Sequence, residues 1–229
     1  AINIGAALAR AGHEVLLIDL EPQGNASTGL GMTSETRRLT TYDVLIEGTP
    51  LSKAIQPTAQ ERLGLVPATV DLSSADLELM GKQRRSFLLR SALAPVTRGE
   101  LDVDYVLIDC PPSLSLLTLN AMVAAHAVLV PLQSEFFALE GLSQLMLSVR
   151  EVRQTANPNL RIEGVLLTKI DTRNRLAQQV ESDARETLGE LVFQTVIPRN
   201  VRVSEAPPYA LPVRDDDPAS KGALAYAAL

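Results

Sequence analysis

Glu14-Val15-Leu16-Leu17-Ile18-Asp19-Leu20-Glu21-Pro22-Gln23-Gly24-Asn25 is the stretch from which the rest of the chain is read. Four apolar residues run unbroken into an acid, and a polar turn follows at once. An apolar run without polar alternation is the pattern of a strand buried on both faces. An acid at its carboxyl end stands where open α/β sheets hold their ligands. The same grammar returns at Tyr105-Val106-Leu107-Ile108-Asp109-Cys110-Pro111-Pro112-Ser113, and a third apolar run ends in a polar turn carrying an acid at Leu166-Leu167-Thr168-Lys169-Ile170-Asp171. Further apolar runs occupy 63–67, 127–131 and 192–198. Helical patterns lie between them, at 72–79, 114–125, 176–188 and, with the clearest period, 139–155, where Leu139, Leu142, Leu145, Met146, Val149 and Val152 recur at helical spacing. Strand–helix alternation predicts an α/β fold, a doubly wound, mostly parallel sheet with helices on both faces.

Composition narrows the function classes. The chain has 229 residues, 46% of them hydrophobic and 21% charged, which excludes a disordered chain. Aromatic residues make up 3% and Trp is absent, so the core must be aliphatic. The net charge of −6 confines any nucleic-acid surface to a local patch. Cys110 is the single cysteine, which excludes a disulfide framework and a Cys-rich metal site within one chain. No apolar run approaches the roughly 18 residues of a membrane span, and the expected compartment is the cytoplasm. Residues 24–41, rich in Gly, Ser and Thr without apolar period, read as a functional loop or switch segment. One domain is expected over residues 1–229. It is expected to be incomplete at both ends, because 1–10 and 222–229 start and stop inside helical patterns.

Four apolar residues followed by Asp is the Walker B form, in which the carboxylate reaches a nucleotide's magnesium, usually through water. An Asp after a strand is as often a helix cap. Two such strand ends, one of them continuing into Pro-Gln-Gly-Asn, are more specific than either alone.

Four segments, taken together, resemble the ParA/Soj partition ATPases, the deviant P-loop class of dimeric ATPases that segregate chromosomes or plasmids. They are Asp19-Leu20-Glu21-Pro22-Gln23-Gly24-Asn25-Ala26-Ser27-Thr28-Gly29-Leu30-Gly31, Val106-Leu107-Ile108-Asp109-Cys110-Pro111-Pro112-Ser113, Pro131-Leu132-Gln133-Ser134-Glu135-Phe136-Phe137-Ala138-Leu139-Glu140-Gly141 and Ile197-Pro198-Arg199-Asn200-Val201-Arg202-Val203-Ser204-Glu205-Ala206-Pro207. The likeness covers essentially the whole chain, in order. It implies ATP and Mg²⁺ as cofactors, with Asp109 as the Walker B acid on the metal and Asp19 near the metal shell. Glu21 matches the acid that positions the attacking water, where the family usually has Asp, so the carboxylate is kept and one methylene added. Pro198 and Asn200 match the adenine-side loop, and Thr168 and Asp171 would flank the same base. The resemblance further implies an ATP-dependent homodimer, nucleoid-associated binding to DNA without sequence preference, and a ParB-like centromere-binding partner, with no membrane. Arg173, Arg175, Arg199, Arg202 and Lys221 are the candidate DNA contacts, Arg202 and Lys221 foremost. Any one of them alone reads equally as a solvated surface charge. The family's phosphate loop, Lys-Gly-Gly-x-Gly-Lys-Thr, is expected immediately upstream of Ala1, so the chain as written is expected not to hydrolyse ATP. Two alternatives stand beside this: a related ATPase that positions a septum or cargo, and a non-catalytic nucleotide- or DNA-binding scaffold.

Overall fold

The structure, a computed structural model, describes residues 1–133, 138–171, 173–200 and 211–229. The expectations placed on Arg202, on residues 134–137 and on the rest of 201–210 lie outside the described residues. The chain divides into two compact units, one built on Ala1–Ala124 together with Leu211 and Pro212, and one on the remaining described residues from Ala125 to Leu229.

The first unit holds β1 (Val15–Asp19), β2 (Gln56–Pro57), β3 (Leu63–Val66) and β4 (Tyr105–Asp109), in the spatial order β2-β3-β1-β4. β3, β1 and β4 are parallel, and the short β2 lies antiparallel on β3. All of β1 is buried, and its side chains divide by the period of two between the faces. Leu16 and Ile18 join one apolar cluster with Val66, Leu72, Leu79 and Leu117. Val15 and Leu17 join another with Ala9, Met32, Leu63 and Leu65. Ala9 belongs to the helix α1 (Ile2–Arg10), whose apolar face covers that side of the sheet. The unbroken apolar run 15–18 is thus explained by two covered faces. β4 departs from that expectation: its residues are only half-buried and Tyr105 is exposed, because among the described residues β4 is an edge strand.

In the second unit β5 (Ala127–Gln133) and β6 (Arg161–Thr168) pair in parallel. Leu142, Val149 and Val152 of the helix Ala138–Thr155 are buried, with Leu145 and Met146 packed partly against the same core, as the helical spacing requires. The helix Arg175–Leu188 is capped by Asn174, whose side chain accepts the Leu176 N–H at 2.9 Å. Residues 192–198 do not form the continuous strand expected. They touch β6 and its extension through two isolated parallel bridges, Val165–Val192 and Ile170–Pro198. The Phe193 N–H donates to Val165 and the Ile197 N–H to Leu167, so four residues on one side span two on the other and the intervening ones bulge out. Gly164 of β6 makes the close approach possible: a Cβ there would stand 2.5 Å from the Phe193 ring. An open cleft of about 680 Å³, lined by Met146, Val149, Arg150, Arg153 and Arg161 among others, lies by the N-terminal end of β6. It is at the far end of that strand from Thr168 and Asp171.

Candidate functional site

The register of β1 against β4 places Asp19 directly beside Asp109, and the Leu20 N–H carries the ladder one step further by donating to the Asp109 carbonyl at 2.8 Å. Two of the three expected acids therefore stand side by side at the carboxyl ends of neighbouring parallel strands. Glu21, two residues beyond Asp19, is on the same rim.

Their environments differ. Asp19 is fully buried and both its oxygens are engaged. Oδ1 accepts the Glu21 N–H at 3.1 Å, and Oδ2 accepts the Ser27 N–H at 2.9 Å and the Ser27 hydroxyl at 2.6 Å. Burial pushes its carboxyl above the ordinary value and the neighbouring Asp109 charge adds to this, against the pull of the Ser27 and Glu21 bonds. Asp109 is half-buried, and no hydrogen bond to its carboxylate is found among the described residues. A carboxylate without protein donors, at a strand end, has oxygen sites left for a hydrated cation. Glu21 is half-buried, with Oε1 accepting the Gln23 N–H at 3.3 Å.

Residues 24–41 prove to be ordered. Gly24 adopts a left-handed conformation (φ +63°) and starts the short helix α2 (Asn25–Gly29), and a 3₁₀ turn follows at Ser34–Thr36. Ser27 of α2 links three segments, since it donates to Asp19 while accepting the Ala68 N–H at 3.0 Å from beyond β3. Thr41 is also buried and donates to the Asp19 carbonyl at 2.7 Å. Neither hydroxyl was singled out as functional in the sequence, because nothing local marks a Ser or Thr as buried. Replacing Ser27 with Ala strands the Ala68 N–H and removes a bond to a carboxylate, so stability is expected to fall by about 2–4 kcal/mol. Thermal unfolding should then come about 5–15 °C earlier. The Ser27 bonds favour ionised Asp19, so the loss is largest above the folded pKa of Asp19 and shrinks as acid protonates it. Unfolding curves of both proteins at neutral and acid pH check this.

Cys110 follows Asp109, and burial, helped by the Asp109 charge, pushes its thiol from 9.0 up to about 12. At pH 8 it therefore holds about 1,000-fold less thiolate than an unperturbed thiol. Iodoacetamide should alkylate it at least about 10-fold more slowly than a free cysteine peptide, the scarcity of thiolate outweighing the greater nucleophilicity of a more basic one, as mass spectrometry over time would measure.

In the second unit the end of β6 and the later turn meet through backbone contacts. Thr168 ends β6, and its hydroxyl donates to the Leu132 carbonyl at 3.3 Å. The Ile170 N–H donates to Ile197 at 3.2 Å and the Arg199 N–H returns to Ile170 at 2.9 Å, so Pro198 lies against Ile170, with Asn200 two residues on. Asp171 accepts from the Arg173 side chain at 3.2 Å and from its backbone at 3.0 Å, and these bonds hold its carboxyl below the ordinary value. Arg173 is thereby partly committed to Asp171, while Arg175, Arg199 and Lys221 are exposed, Lys221 at the start of the helix Lys221–Ala227. Among the described residues no helix is long and apolar enough to cross a membrane.

Comparison with known proteins gives concordant results. The AAA-domain family matches residues 1–162. The chromosome partitioning protein ParA of Caulobacter vibrioides is 53% identical over 226 residues, covering 99% of this chain and 84% of that protein. The sporulation initiation inhibitor protein Soj of Bacillus subtilis is 45% identical over 225 residues, covering 98% of this chain and 88% of its own. Among solved structures, cobyrinic acid a,c-diamide synthase of Mycobacterium smegmatis with bound ADP and magnesium is similar with a TM-score of 0.82 at 36% identity, covering 99% of this chain and 83% of that one.

Proposed function

This chain belongs to the ParA/Soj family of chromosome-partitioning ATPases, and from that premise we propose that the rim formed by β1 and β4 hydrolyses ATP to time a cycle of dimerisation and DNA release. The observation that carries the proposal is the in-register pairing of Asp19 with Asp109, with Glu21 on the same rim. The donor set suits a hydrated magnesium ion at Asp109, whose oxygens are the less engaged of the pair. Such an ion offsets the charge that develops on the phosphates during transfer. Asp19 is a positioning residue in this scheme: it holds the Glu21 amide and α2, and so fixes the turn. Glu21 orients the attacking water and takes up its proton. By the family resemblance, Thr168, Asp171, Pro198 and Asn200 are the candidates for the base, whose edge backbone groups and a side-chain amide can read.

Dimerisation on ATP, binding to DNA without sequence preference and release through a ParB-like partner complete the proposed cycle. Residues 1–229 act in this proposal as one ATPase domain, its two compact units included, on the nucleoid. In the full-length protein, ATP should cause retention of DNA of any sequence. Lys221→Glu should weaken that retention, and lower the slope of log affinity against log salt by about 1, with ATP binding unchanged. Equal retention and slope in the variant would remove Lys221 from the DNA surface, and absence of ATP-dependent retention in the unsubstituted protein would contradict the cycle.

A further inference from the structure

Arg37 lies in the loop beyond α2, half-buried, and it spends its N–H groups on neutral oxygens. Nη1 donates to the Ala68 carbonyl at 2.8 Å. Nη2 donates to Thr28 Oγ1 at 2.7 Å, to the Met32 carbonyl at 3.0 Å and, more weakly, to the Gly24 carbonyl at 3.4 Å. Nε reaches the Met32 carbonyl at 3.3 Å. None of these acceptors is a carboxylate. One guanidinium therefore ties the start, the side and the end of the α2 segment to the chain just past β3. Only a planar fork of donors spans that set, and a lysine ammonium on a flexible stem does not.

The backbone at Gly24 is adapted to this side chain. A Cβ on Gly24 would stand 3.0 Å from the Ala68 carbonyl oxygen and 2.3 Å from Arg37 Nη1, so a side chain there would displace the guanidinium, and the φ of +63° itself favours glycine. The Gly24 N–H in turn donates to the Glu21 carbonyl at 2.8 Å and closes the turn that carries the Glu21 side chain. Contacts run without a break from Glu21 through Gly24 and Arg37 to Ala68, whose N–H is already held by Ser27.

We propose that Arg37 is a positioning residue, a latch that pins the Glu21 turn and α2 to the end of β3 and so sets the rate at which Glu21 acts on water. The proposal rests on the hydrolytic reading of Glu21. It is tested in the full-length protein with Arg37→Gln and Arg37→Lys, and with Arg62→Gln as control, since Arg62 forms an exposed ion pair with Glu14 elsewhere in the same unit. Amide hydrogen exchange and steady-state ATP turnover are measured on each. Arg37→Gln should raise exchange about 10-fold across residues 24–32 while β1 and β3 keep their protection. Its kcat should fall about 10-fold with KM for ATP unchanged, because a small displacement of a reacting group changes rate more than binding. Arg37→Lys should fall in between, and Arg62→Gln should match the unsubstituted protein. Unchanged exchange at 24–32 overturns the latch. Raised exchange with unchanged kcat overturns the positioning role. Exchange that rises throughout the unit assigns Arg37 to stability alone and overturns the proposal likewise. A lack of ATP turnover in the unsubstituted protein is a separate failure: it contradicts the hydrolytic reading itself and takes the positioning role with it.

Discussion

Full-length protein carrying Glu21→Gln is expected to bind ATP as the unsubstituted protein does and to turn it over about 10²–10⁴-fold more slowly. The amide retains an oxygen able to accept the Gln23 N–H, so the turn keeps its local bond. It retains hydrogen bonding to a water as well. What it loses is the capacity to take a proton, and that loss falls on the chemical step. Glu21→Asp keeps the proton acceptor one methylene shorter, and is expected to retain turnover well above that of the Gln variant. Single-turnover hydrolysis beside equilibrium ATP binding separates the two effects. Normal turnover in the Gln variant would remove Glu21 from the reaction.

Asp109→Asn should lower magnesium-dependent turnover by about 10–100-fold, the usual cost of losing an outer-sphere carboxylate at a metal site. The fold should tolerate the change, because among the described residues no protein donor reaches this side chain, and the neighbouring Asp19 is relieved of a like charge. Added magnesium should restore part of the rate, since the defect lies in metal affinity. A titration of turnover against magnesium concentration measures this. A rate that is unchanged, or lowered by the same factor at every magnesium concentration, would argue against Asp109 as the metal's carboxylate.

Much of this site was legible before any coordinates, for a simple reason. β1 and β4 are written as apolar runs that end in acids, and parallel pairing sets two such ends side by side whenever the runs align. The meeting of Ile170 with Pro198 was foreseeable only through the family resemblance, which sets residues 168–171 and 198–200 around one base. Other features depend on partners far along the chain. Ser27 joins Asp19 to Ala68, and Arg37 reaches back to Gly24 and forward to Ala68, yet each residue by itself reads as an ordinary polar loop position. The loop looked irregular because it lacks an apolar period, and it is ordered instead by hydroxyl and guanidinium bonds that leave no periodic trace. Residues 192–198 carry strand-forming types, but the bulge between Phe193 and Ile197 is a matter of register, which composition does not encode.

The central claim is that β1 and β4 present Glu21 and Asp109 to one nucleotide-bound metal. A crystal structure of the full-length protein with magnesium and a non-hydrolysable ATP analogue tests it most directly. The expected density has the ion one water away from the Asp109 carboxylate and the terminal phosphate facing Glu21. A nucleotide bound with its phosphates away from the carboxyl ends of these two strands would contradict the account.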